Sequence, residues 1–113
     1  MDLQYGELDN NIRLIRLTGR LDVMGVNEVD LRFAVYCSGQ NVRVLVDLSE
    51  VEYLASIGIR MLTTNAKSLA SRGGKMVLLN PTSDVKGVLE MTGIPGIIPI
   101  YEQLESAQAV LLA

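Results

Sequence analysis

The stretch VRVLVDLSEVEYLASIGIRMLTTNAKSLASRGGKMVLLN, Val42–Asn80, decides the architecture of this chain. Its first seven residues are valine or leucine apart from Arg43 and Asp47, the composition of a central strand covered on both faces. From Ser56 the period changes: Ile59, Leu62, Ala66, Leu69 and Ala70 recur at helical steps and mark one apolar stripe. Arg72-Gly73-Gly74 supplies a helix stop, and KMVLLN returns to the pattern of a buried strand. Strand, helix and strand joined so tightly make a parallel pair with a right-handed crossover.

The flanks extend the same layer pattern. Upstream, Leu3 to Leu8 and Ile12 to Thr18 read as two strands joined at the turn-forming Asp9-Asn10-Asn11, a hairpin. Between TGRLD and Ser38-Gly39, the spacing of Val26, Val29, Phe33, Tyr36 and Cys37 predicts an amphipathic helix. Downstream, Pro81 ends the strand, Thr82 or Ser83 caps a third helix through Val85, Val88 and Leu89, and Gly93 closes it. A short apolar piece, Ile97 to Tyr101, precedes a last helical pattern at Leu104, Ala107, Gln108 and Leu111. The order predicts one α/β domain over residues 1–113, a mixed sheet of four to five strands with four helices packed on it.

Composition narrows the function. With 10 basic and 13 acidic residues, and arginines scattered rather than clustered, the chain lacks the basic patch of a nucleic-acid binder. Aromatic residues are 4% and tryptophan is absent, which removes stacking platforms for single strands. There is no histidine, so no Ser-His or Cys-His pair can form and the commonest metal ligand is missing. Asp47, Glu50 and Glu52 lie close enough in sequence to act as a carboxylate pair, but read more simply as solvated loop acids. The fragment RGGKMV lacks phosphate-loop spacing and precedes a strand where a helix is needed. The single cysteine, Cys37, falls on the apolar helix stripe and reads as core. No apolar run approaches the roughly 20 residues of a membrane span, and the N-terminus MDLQYGELDN is not a secretory signal, so a cytoplasmic protein without cofactor or metal is expected.

Four pieces in this order resemble a STAS domain of the anti-sigma factor antagonist type: LTGRLD (Leu17 to Asp22), VLVDLSEVEYLASIGIRML (Val44 to Leu62), GGKMVLLNPTSDVKGVLEMTGI (Gly73 to Ile94) and the closing IYEQLESA. The similarity covers nearly the whole chain. It implies a non-enzymatic domain, monomeric or weakly dimeric, that binds an anti-sigma factor of the serine-protein kinase type and so frees a sigma factor. Family members resemble one another in an Asp-Ser-Ser-Gly or Asp-Ser-Thr-Gly pattern at the start of the second helix, with the hydroxyl residue before the glycine as phosphate acceptor. Here those positions hold Ala55, Ser56, Ile57 and Gly58, so the usual acceptor and its acidic neighbour are both replaced. ASIGIR is closer to a related Ser-Ser-Ala-Gly-Leu-Arg form.

The implied partner surface comprises Asp22, Ser49, Ser56, Ile57, Gly58, Arg60 and Thr63 or Thr64. Each carries a plainer alternative. Ser56 is either a helix N-cap or a relocated phosphate acceptor. Asp22 is a binding acid or a cap, and Gly58 allows a partner's approach or tight helix-to-sheet packing. Ile57, and with it Met61, is expected off the core stripe, leaving apolar groups at the surface. Two other functions fit the same fold: a constitutive scaffold or transport-complex subunit, and a small-molecule or nucleotide sensor that holds an anion at helix amides.

Overall fold

A mixed sheet in the order β1-β2-β3-β4-β5 organises the chain in the computed structural model, which describes all residues from Met1 to Ala113. β1 (Asp2–Leu8) and β2 (Ile12–Leu21) form the expected antiparallel hairpin. Its connection is a short 3-10 turn, Asp9–Asn11, in which Asn10 and Asn11 take the left-handed conformation that asparagine tolerates. β3 (Arg43–Leu54), β4 (Lys75–Leu79) and β5 (Ile100–Tyr101) then add parallel to β2, one after another. The crossovers are α1 (Val23–Tyr36), α2 (Ser56–Ser71) and α3 (Ser83–Met91), and α4 (Leu104–Leu112) closes the chain.

Alternation along the strands divides the core in two. Ile15, Leu17, Val44, Val46, Met76 and Leu78 share a large core with apolar residues of α1, α2 and α3. Ile12, Leu45, Val77 and Leu79 point to the other face, where Ala107 and Leu111 of α4 cover them. Cys37 lies inside the larger core, and burial pushes its thiol up to about 12, so it packs as a small hydrophobe. Two of the scattered arginines have a structural task at the end of α1. Arg13 donates to the carbonyls of Tyr36 and Ser38, and Arg72 to those of Cys37 and Gly39, so the orphan acceptors of that helix are satisfied by cations.

The main departure from the expected elements is in β3, which does not stop near Leu48 but runs to Leu54. It does so by carrying extra residues. Arg16 pairs with Asp47 and Thr18 with Glu50, so Leu48 and Ser49 oppose Leu17 alone; Gly19 pairs with Val51 and Arg20 with Tyr53, leaving Glu52 as a second extra residue. Asp47 holds the first bulge: one carboxylate oxygen accepts from the Ser49 amide at 2.9 Å and the other from Arg16 at 3.0 Å. Asp47 is therefore not a solvated loop acid; it is 6% exposed, while Glu50 and Glu52 are exposed on the strand. Burial acts to raise its pKa, but the Ser49 hydrogen bonds and then Arg16 outweigh it and hold the carboxyl below its ordinary range.

The stripe of α2 is also rotated from the expected one. Gly58, Met61, Leu62, Ala66 and Leu69 are its buried residues, whereas Ala70 is exposed and Ile59 only half-buried. Met61 thus belongs to the core and not to the surface. At α3 the cap is Thr82, whose hydroxyl accepts from the Val85 amide. The apolar piece before α4 narrows to the two-residue β5, with Ile97 half exposed after a 3-10 turn at Ile94–Gly96.

Candidate functional site

β2 and β3 end side by side, Leu21 opposite Leu54, and α1 and α2 start from those ends. The Ala55 amide donates to the Leu21 carbonyl at 3.0 Å, which ties the two helix starts together and brings Asp22 next to Ala55 and Ser56. This is the carboxyl edge of the parallel strands, where open α/β sheets gather functional groups.

Asp22 is the N-cap of α1, its carboxylate accepting from the Gly25 amide at 2.9 Å. That hydrogen bond, and after it Arg20 at 3.5 Å, lowers its pKa and keeps the acid ionised. Arg20 also stacks over the ring of Tyr53, 4.3 Å from the centroid, as their opposed positions in β2 and β3 require.

Ser56 does not cap α2. The cap position is Ala55, which offers no side-chain acceptor, and Ser56 is the first helical residue, exposed to solvent. Gly58 donates to the Ala55 carbonyl at 3.0 Å in place of a side chain, and the first amides of the helix have no side-chain cap. Gly58 is buried, and a Cβ there would lie 2.8 Å from a Leu54 methyl and 3.0 Å from Leu21. Tight packing of helix on sheet accounts for that glycine.

Ile57 is half-buried: it packs against the large core and also lines a groove of about 370 Å³ between α1 and α2. Arg60 and Thr64 join it from α2, and Asn27, Asp30 and Ala34 form the facing wall on α1. Thr63 is half-buried beside them, its hydroxyl donating to the Arg60 carbonyl. Ser49 stays apart from the groove, half-buried on β3 with its amide held by Asp47. The α1 wall was absent from the sequence-based surface, since a single apolar stripe says nothing about which second helix lies alongside. The Arg20–Tyr53 stack was missed for a similar reason, because it depends on the β3 bulges.

The arrangement offers an exposed hydroxyl on an uncapped helix start, an ionised carboxylate capping the neighbouring helix start, and an apolar groove with charged walls. No helix is long and apolar enough to cross a membrane. Residues 7–107 match the family model described as the STAS domain. BtrV of Bordetella bronchiseptica, a candidate anti-sigma factor antagonist, is 28% identical over 109 residues, 96% of this chain and 93% of that protein. The anti-sigma-B factor antagonist of Listeria monocytogenes is 27% identical over 100 residues, 88% of each chain. Among solved structures, the anti-sigma factor antagonist SpoIIAA in its unphosphorylated form superimposes with a TM-score of 0.77 at 20% identity, covering 96% of both chains. Its phosphorylated form, from Bacillus, gives 0.70 at 18% identity, covering 96% of this chain and 99% of that one.

Proposed function

The chain belongs to the STAS domain family, and from that premise we propose that it is an anti-sigma factor antagonist, a non-enzymatic cytoplasmic protein that binds an anti-sigma factor of the serine-kinase type and thereby releases a sigma factor. The reading is supported by curated relatives named for that role over most of their length. The single observation that carries it to particular residues is the uncapped start of α2, with exposed Ser56 and half-buried Ile57, tied through Ala55 and Leu21 to the start of α1 that ionised Asp22 caps. The partner contacts this edge and the outer side of α2 through Arg60, Thr63 and Thr64, with Ile57 as the apolar anchor and Asp22 as a charged rim. Gly58 acts by bringing the helix start against the sheet. Ser49 contributes through the β3 bulge that positions that start.

Control by phosphorylation, where it operates, falls on Ser56, because Ile57 has no hydroxyl to accept a phosphoryl group. Transfer from a nucleoside triphosphate to the Ser56 oxygen releases the diphosphate and the hydroxyl proton. The product places close to two negative charges at helix amides that stabilise them and, at the same time, within the contact they disrupt.

Ile57→Glu tests the reading. With Ile57 only half-buried, the variant keeps a cooperative thermal transition, and its affinity for the anti-sigma factor in a calorimetric titration falls at least about a hundredfold. A folded variant with unchanged affinity removes Ile57 from the interface and this function with it.

A further inference from the structure

β3 and β4 begin with a like-charged pair. Arg43 and Lys75 are partners in the parallel register and, two residues before Leu45 and Val77, leave the sheet on the side that α4 covers. Like charges side by side on neighbouring strands repel. The chain's ion pairs are Met1–Glu28, Arg16–Asp47, Arg20–Asp22 and Lys86–Glu102, so no carboxylate offsets either cation. What they meet is the end of α4: Arg43 Nε donates to the Leu111 carbonyl at 2.9 Å and Lys75 Nζ to the Val110 carbonyl at 3.1 Å. Each bond uses one donor of its group, and both Nη atoms of Arg43 and the other Nζ protons of Lys75 have no protein acceptor. The two cations line a cavity of about 220 Å³ at this edge of the sheet. Asn41, Gly73 and Gly74 form the rest of its wall, the end of α4 closes it, and no aspartate or glutamate lines it. The glycines have a local reason, a left-handed φ of +78° at Gly73 and the Val42 carbonyl oxygen that a Cβ on Gly74 would run into. They also leave that wall as bare backbone, so RGGKMV, which is no phosphate loop, supplies room and a lysine.

We infer that this cavity binds a phosphate group, free or carried as a monoester by a small polar molecule. Two adjacent cations with no acid between them attract a doubly charged oxyanion more strongly than a singly charged carboxylate. The planar guanidinium presents paired Nη donors to two oxygens of the group, and the Lys75 ammonium adds a movable point charge. The bound anion relieves the repulsion between the two side chains, and neither has to give up its bond to α4. Only two of the seven lining residues are hydrophobic, so whatever carries the phosphate is polar as well. Arg43 opens the twelve-residue β3, whose other end delivers the chain to the α2 start. The site therefore stands apart from the partner surface proposed above and does not rest on it.

Two-dimensional NMR of the whole chain, titrated with inorganic phosphate and separately with glycerol 3-phosphate at constant ionic strength, tests the site without any anti-sigma factor. The expected result is saturable movement of the amide signals of residues 41–43, 73–75 and 110–111, with a dissociation constant of about 1 mM. Lys75→Gln, at an exposed position that leaves the fold intact, weakens binding about fivefold or more. Arg43→Lys keeps the charge but loses the paired donors, and weakens it less than Arg43→Gln. Tighter binding of the monoester assigns the cavity to a phosphorylated small molecule, and equal binding assigns it to free phosphate. Shifts that fail to saturate, that spread equally to the exposed cations Arg32 and Lys67, or that Lys75→Gln leaves unchanged mean an adventitious ion only and overturn the inference.

Discussion

α1 and α2 start beside each other and are built alike up to a point. Each has a buried glycine as its third residue, Gly25 and Gly58, pressed against the end of β2. The difference lies one residue before the helix. Asp22 takes the Gly25 amide with its carboxylate, whereas Ala55 has only a methyl group and the Gly58 amide turns to the Ala55 carbonyl. Close approach to the sheet is thus a requirement of both starts, while a side-chain cap is present at only one of them. At α2 it is missing, and an exposed hydroxyl stands in front of unpaired amides. Of the two polar residues at these adjacent helix ends, Asp22 is engaged in holding its helix and Ser56 is not.

The glycines provide the largest test of what the two starts share. A Cβ on Gly25 would run into the Arg20 carbonyl oxygen, a backbone atom fixed by the sheet. Gly25→Ala is expected to cost about 3 kcal/mol or more in urea unfolding. Gly58→Ala meets a Leu54 methyl that can turn aside and the Leu21 Cβ and carbonyl oxygen at 3.0 Å, a far milder approach than that at Gly25, and it gains helix propensity, so it costs less, about 1–2 kcal/mol. Equal costs would mean that the two helices do not differ in how rigidly β2 receives them.

The caps test what the starts do not share. Asp22→Ala is expected to lower Tm by about 4–8 °C, and Ala55→Asp, which gives α2 the missing acceptor, to raise it by about 4 °C. The first effect is pH-dependent. The folded pKa of Asp22 lies below its ordinary value, so the cap's contribution is present above the unfolded carboxylate pKa of about 3.9 and is lost as pH falls through the lower folded one. Thermal scans of wild type and Asp22→Ala therefore converge in acid. Scans that stay parallel down to pH 2 would assign the difference to packing and not to the ionised cap.

How far these features can be read in the chain follows from the kind of interaction that sets each one. The hairpin, the crossovers and the order of layers come from local periodicity and turn residues, and Val42–Asn80 is enough to define the α/β class. The extension of β3 is hidden because its bulges break the two-residue alternation: Val51 and Leu54 are buried with Glu52 and Tyr53 exposed between them, a spacing that resembles a loop. Asp47 looks solvated by residue type, and only the distant Arg16 and the bulged Ser49 amide make its burial favourable. At the site, Asp22 and Ser56 stand out in sequence, but which of them caps a helix depends on where the extended strand delivers the chain. Ser56 falls inside α2 by one residue, and that single position separates a cap from a free hydroxyl.

The smallest expected effect is at Ser56 itself. A serine that capped α2 would, on replacement by alanine, cost the protein the same 4–8 °C in Tm as any lost N-cap. In the position it occupies, the hydroxyl is exposed and the cap belongs to Ala55, so Ser56→Ala leaves Tm within about 1 °C of wild type, alanine's better helix propensity offsetting any loss. Differential scanning calorimetry on the two proteins separates these outcomes. A drop of several degrees would place the hydroxyl in a capping bond and make the two helix starts alike. An unchanged Tm leaves Ser56 with no part in holding the fold, so that any effect of its modification acts at the surface it presents to a partner.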